Sequence, residues 1–140
     1  MIAGSYATAD RARRCVLKGI AENVRHTWKA PRLCTLHWDG KLQPTLSNHR
    51  QLEERLTVVV GDLSNVKLLD VPAYTKTTDE PSGAGVARST ADLVQKWGCG
   101  DSIVAMAFDT TPANTGHLTA ACVAVQNELQ RALLWLGCRY

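Results

Sequence analysis

Between residues 33 and 71 three short runs with strand-like patterning follow one another with no helical segment between them, whereas from Val86 onward helical and strand-like segments alternate. That order restricts the fold more than any single residue does. Strands joined by turns pair antiparallel, and strands joined through helices return parallel, so the chain is expected to build an α/β fold: a mixed sheet of three antiparallel strands then parallel strands, with flanking helices. In the first run Leu33, Thr35 and His37 alternate with Cys34, Leu36 and Trp38, both sets suited to a strand covered on two faces, and Asp39-Gly40 reads as its close. Residues 56–61 form a continuous Val-rich run and residues 66–71 a third, with Gly61-Asp62-Leu63-Ser64-Asn65 as the turn between them. The stretch 72–85 holds Pro72, Pro81, Gly83 and Gly85 and reads as an exposed loop. Val86, Thr90, Leu93, Val94 and Trp97 then keep helical spacing, with Gly98 and Gly100 as the stop. Residues 103–108 read as a buried strand. Thr111-Pro112 looks like an N-cap and first helical position, Leu118, Cys122, Val125, Leu129 and Ala132 mark one helix, and residues 133–136 revert to strand.

Ahead of the first strand, Ala12, Val16, Ile20, Val24 and Trp28 recur every fourth residue, with Leu17 and Ala21 widening the stripe, which predicts an amphipathic helix over residues 8–28 that Pro31 stops. Arg11, Arg14, Lys18, Arg25 and Lys29 line one face of the same helix, interrupted by Glu22. The stretch from Met1 to Arg32 carries seven basic side chains against Asp10 and Glu22, a local charge of +5 that leaves −2 for the rest of a chain whose total is +3. Two readings stay open for this face: a solvated outer surface, or a phosphate-contacting, nucleic-acid-binding one. The chain accordingly divides into a basic amphipathic N-terminal helix, residues 1–32, and a core, residues 33–140.

At 140 residues, 45% apolar and 21% charged, the chain has the size and composition of one folded domain. Its longest apolar stretches fall far short of the roughly 20 residues that cross a bilayer, so no membrane partner is expected. The N-terminus has no apolar secretory core. Cys15, Cys34, Cys99, Cys122 and Cys138 are odd in number, scattered and free of Cys-x-x-Cys pairs, which favours reduced thiols and an intracellular setting. Cys34 and His37 have a metal-like spacing, but in a strand positions three apart point to opposite faces.

The chemistry-bearing pattern is an apolar run ending in an aspartate, present twice: Leu36-His37-Trp38-Asp39-Gly40 and Ala107-Phe108-Asp109-Thr110-Thr111. Two carboxylates at the carboxyl ends of neighbouring parallel strands can converge on one hard cation such as Mg²⁺ or Mn²⁺, which takes oxygen ligands and keeps waters that a phosphate can replace. With two ions, the attacking and leaving oxygens of a phosphodiester are both stabilised. Plain structural readings stand beside this one: Asp-Gly is a common hairpin turn, and Asp109 can serve the cap of the following helix. Asp62, Asp70, Asp79, Glu80 and Asp92 read as solvated acids. His26, His37, His49 and His117 share no motif spacing, with His37 a strand residue and His117 a helix residue. Residues 82–85, Ser-Gly-Ala-Gly, imitate a glycine-rich nucleotide cradle but lack the Gly-Lys-Ser/Thr ending.

Taken together, the strand closing in Asp-Gly, the three early strands, the helix and the second strand ending in aspartate resemble the RNase H-like superfamily. More closely, Phe108-Asp109-Thr110-Thr111-Pro112-Ala113-Asn114-Thr115-Gly116 with Gly137-Cys138-Arg139-Tyr140 is similar to transposon-derived proteins of the hAT-like transposase group. The resemblance covers most of the chain from Leu33 onward. It implies that Asp39 and Asp109 are catalytic metal ligands for Mg²⁺ or Mn²⁺, that Cys138 matches a cysteine following the fifth strand, and that the partner is DNA. It also implies a third acid, a glutamate after a large helical insertion, which this sequence does not reach before Tyr140. Glu128 is no substitute, lying about 19 positions beyond Asp109 on a helix. The expectation is therefore a transposase-derived, C-terminally truncated RNase H-like core, related to DNA strand cleavage or transfer but inactive. Its setting is expected to be intracellular, with a nuclear location open, and an exposed sheet edge offers a route to a homo-oligomer. The alternative is a domesticated, non-catalytic nucleic-acid-binding or scaffold module.

Overall fold

The computed structural model describes residues 6–45, 48–74, 83–115 and 120–138. Helix α1 (Tyr6–Thr27) leads into strand β1 (Cys34–Pro44), followed by β2 (Leu52–Gly61), β3 (Val66–Asp70), helix α2 (Ala84–Trp97), β4 (Ile103–Asp109), the short α3 (Pro112–Thr115), α4 (Ala121–Leu129) and β5 (Leu134–Cys138). The five strands form one sheet in the order β3-β2-β1-β4-β5. β1 runs antiparallel to β2, and β2 to β3; β4 is parallel to β1, and β5 to β4. The expected mixed sheet is present, with the turn-linked strands antiparallel and the helix-linked strands parallel.

Period-two alternation decides which residues enter the core. Leu36 and Trp38 on β1, Leu56, Val58 and Val60 on β2, and Met106 and Phe108 on β4 are all at most 3% exposed and share one face. Onto that face α2 sets Val86, Leu93 and Val94, and α4 sets Cys122 and Val125. Trp38 stacks on Phe108 with ring centroids 5.5 Å apart, and Trp135 of β5 meets Phe108 edge-on. Each fully buried side chain of this size contributes about 1.5–3 kcal/mol, so this one layer dominates the stability. α2 ends as its sequence predicts, at Gly98 in the left-handed region (φ 63°), where a side chain would be strained.

Three elements differ from expectation. β2 begins at Leu52, four residues ahead of the Val-rich run, because its ladder with β1 extends to Pro44. Asp39-Gly40 does not close β1; the strand continues to Pro44, with Asp39 opposite Thr57 and Gly40 opposite Leu56. Gly40 makes no turn there, and a Cβ on it would lie 3.1 Å from the Tyr74 phenolic oxygen. The single helix expected after Thr111 is two helices, α3 and α4; α4 stops at Gln130 (φ 51°), so Ala132 lies outside it, while Leu118 and His117 fall outside the described residues. Of the loop at 72–85, residues 75–82 also fall outside them, including Asp79, Glu80, Pro81 and Ser82.

α1 forms over nearly the span its periodicity predicts, yet none of its residues is buried. Its attachment comes after the helix ends, where Trp28 packs edge-to-face on Trp97 of α2 at 5.5 Å. Lys67 of β3 sits over the Trp97 ring, 5.2 Å from its centroid.

Candidate metal centre

Among the described strands, β1 alone pairs with one neighbour antiparallel and the other parallel while standing at the centre of the sheet, and this sets the two candidate aspartates. The β1–β4 ladder pairs Thr35 with Ala105, Leu36 with Met106 and His37 with Ala107. Two residues past that last pair, on both strands, come Asp39 and Asp109. They are thus level on adjacent strands just beyond the end of the ladder, and alternation directs both away from the face that buries Trp38 and Phe108. Asp109 is the last residue of β4, as expected, and Asp39 lies within β1 where its pairing to β4 has ended. On the far side of Asp109 the β5 register sets Cys138 opposite it.

The two carboxylates are held differently. Asp39 Oδ2 lies 3.1 Å from Lys41 Nζ, two residues along the same strand and therefore on the same face. Asp109 Oδ1 accepts from the Thr111 hydroxyl (2.7 Å), the Thr111 backbone N–H (3.3 Å) and the Asn114 side-chain amide. Partial burial pushes the Asp109 carboxyl up, but these three donors outweigh it and hold it below the ordinary aspartate value. Thr111 thus sits just before α3 as its N-cap pattern suggests, with its hydroxyl donating to Asp109 instead of capping the helix.

Asn114 and Trp38 are the residues that sequence reasoning missed. Asn114 Oδ1 accepts from the Trp38 indole N–H at 3.2 Å while its amide donates to Asp109, so one side chain joins the packed face of the sheet to the carboxylate on the other. The only sequence signal was an asparagine five residues after the aspartate; its second partner, Trp38, belongs to a strand formed far earlier in the chain.

The donor set suits a hard divalent cation in part. Oδ1 of Asp39 and Oδ2 of Asp109 have no protein hydrogen bond among the described residues, and neutral donors orient Asp109 as outer-shell groups orient metal ligands. Two carboxylates supply a minority of six oxygen positions, leaving the rest to water and a phosphate. Among the described residues no group of three or more His, Cys, Asp and Glu side chains converges on one point. Glu128 is exposed on α4.

Other candidates lie elsewhere. Cys34 is buried and His37 faces the opposite side, as alternation requires. Burial raises the thiols of Cys99 to about 11 and Cys122 to about 12, which keeps both protonated. Gly83 is a packing glycine, since a Cβ there would come within 2.2 Å of the Ala121 backbone nitrogen. Asp62 is a turn residue; its carboxylate accepts the Ser64 and Asn65 N–H groups, which lower its pKa. On α1, Arg14 pairs with Asp10 and Lys18 with Glu22, both exposed, and Arg11 and Arg25 share their face, whereas Lys29, expected on the same helix, lies beyond its end at Thr27. No described helix is long and apolar enough to cross a membrane. No protein-family model, curated protein or solved structure matches this chain.

Proposed function

We propose that this chain is an RNase H-like domain of transposase descent, in which Asp39 and Asp109 hold a divalent cation, Mg²⁺ or Mn²⁺, against a nucleic-acid phosphate. The observation that carries this reading is the register of β1 and β4, which brings two acids remote in the sequence to the same level of adjacent parallel strands. The strand order β3-β2-β1-β4-β5, with β2 alone antiparallel to the other four, supports the RNase H-like assignment. When bound, such an ion would polarise a phosphodiester oxygen and lower the pKa of a coordinated water. The chain's own part is to orient Asp109 through Thr111 and Asn114 and to keep Lys41 beside the phosphate-facing side of Asp39. Among the described residues no third acid converges with these two, so the reading extends to holding the ion and not to strand cleavage.

A second reading has its own support. Asp39 already has Lys41 and Asp109 already has Thr111 and Asn114, so the pair is satisfied without a metal, as a non-catalytic nucleic-acid-binding module would allow. Amide NMR during Mg²⁺ titration separates the two, with Mn²⁺ as a broadening probe. Metal binding requires shifts and broadening centred on Asp39, Gly40, Asp109 and Thr110 that vanish in Asp39→Asn and Asp109→Asn. A spectrum unmoved by either ion leaves the module reading. For that module, DNA affinity should fall and its salt dependence flatten when Arg11, Arg14, Lys18, Arg25 and Lys29 are neutralised.

A further inference from the structure

α2 and α4 cover one face of the sheet, and no described element covers the other. That open face is apolar at its centre. A groove of about 670 Å³ runs across β3, β2, β1 and β4, lined by Leu33, Thr35, His37, Val59, Val66 and Ala107. Beyond its two sides Leu68 is 51% exposed on β3, and Leu134 is 69% exposed on β5. α1 presents the matching defect, because its stripe of Val16, Leu17, Ile20 and Val24 is 62, 53, 55 and 36% exposed. Apolar patches of this extent on a single chain are surfaces awaiting a partner.

The two surfaces fit each other in length and charge. The apolar stripe from Ala12 to Val24 rises about 18 Å along α1, and five strands spaced about 4.8 Å apart make the open face about 19 Å across. α1 carries five basic residues against two acidic ones. The open face has Asp62 at one end of the groove and Asp39 and Asp109 at the other, against Lys41. Arg13 shares the apolar stripe, three residues before Val16 and four before Leu17, and the orientation that brings it to Asp62 leaves the Asp39–Asp109 end clear for the proposed cation.

The chain's own α1 is poorly placed to fill its own groove. Trp28 is fixed on Trp97 of α2, and Trp28, Lys29 and Pro31 line a niche with Val60, a residue of the packed face. Only residues 28–33 separate α1 from β1, so folding back across the sheet would break the Trp28–Trp97 contact. We infer that the open sheet face is a homodimer interface in which α1 of each copy lies in the groove of the other. A stripe about 18 Å by 10 Å, counted on both surfaces and twice over in a reciprocal exchange, buries about 700 Å², the scale of a weak, concentration-dependent dimer.

Sedimentation equilibrium of the full chain across a concentration series tests this, with Ile20→Asp on the helix and Leu68→Asp on the sheet as variants. Both sites are exposed, so circular dichroism should stay as in the wild type. The wild type should dimerise reversibly as its concentration rises, and each variant should weaken dimerisation by about 100-fold or more, the loss expected from burying a charge twice in a reciprocal contact. Mixing the two variants should restore a heterodimer, because the intact helix of Leu68→Asp meets the intact face of Ile20→Asp. A monomer at every concentration overturns the inference, and so does a dimer that either substitution leaves unchanged. Failure of the mixed variants to associate while the wild type dimerises overturns the exchange as well.

Discussion

Asn114 ties the candidate site to the core, and replacing it with alanine separates two effects that the structure joins. The Trp38 indole N–H loses its acceptor in a residue only 3% exposed. Leaving such a donor unsatisfied costs about 1–2 kcal/mol. Asp109 also loses one of three donors, but at an exposed position where screening leaves that worth about 0.5 kcal/mol. The sum, about 2 kcal/mol, should lower the melting temperature by roughly 8 °C in a domain of this size. Asn114→Asp behaves differently: it keeps an acceptor for Trp38 and sets a second negative charge beside Asp109. Its destabilisation should shrink when Mg²⁺ is added, while that of Asn114→Ala should not. Urea and thermal unfolding followed by circular dichroism, with tryptophan emission as a second probe, give both numbers. An Asn114→Ala protein within about 0.5 kcal/mol of the wild type, inside the range of neutral surface changes, would refute the bridge between Trp38 and Asp109.

Two further outcomes follow from the same geometry. Because the folded pKa of Asp109 lies below its unfolded value, its ionised form stabilises the fold at pH above that unfolded value, about 3.9, and the stabilisation is lost as pH falls through the folded pKa. The stability gap between wild type and Asp109→Asn should therefore close on acidification, and a gap constant down to about pH 2 would contradict the hydrogen-bonded carboxylate. Gly83→Ala would place a methyl group 2.2 Å from backbone nitrogen at α4, and though Gly83 has a φ of −94° that alanine tolerates, pushing two helices apart should cost about 2–3 kcal/mol. Equal or greater stability by urea unfolding would show that α2 and α4 do not approach there.

Strand positions and the first and second helices were legible because side-chain periodicity is a local property, carried by runs such as residues 103–108. The extent of β1 was not. Asp39-Gly40 carries a turn signal, and what overrides it is a partner strand the local pattern does not show, since β2 pairs with β1 through both residues and on to Pro44. The helical spacing after Thr111 was real in α4, but spacing alone does not fix how many helices share it. Asp39 and Asp109 could be singled out from their flanking residues, whereas the groups that orient Asp109 could not, since Asn114 acquires its role only once Trp38 is beside it. The unpartnered stripe of α1 was likewise invisible, because an amphipathic pattern says that a face will be buried and not by what.

The central position of β1 also orders events in time. Its antiparallel partner is close at hand, with Pro44 and Leu52 joined at the hairpin end of the ladder by a short connection. Its parallel partner requires Cys34 to find Ile103, closing a loop that contains β2, β3 and α2 before any contact rewards the entropy spent. The hairpin can therefore zip early, and the two aspartates become neighbours only when the slowest closure is complete. A nascent or half-unfolded chain would display ordinary β-structure before Asp39 and Asp109 are neighbours, so cation binding at the pair, as proposed above, would report on the last stage of folding.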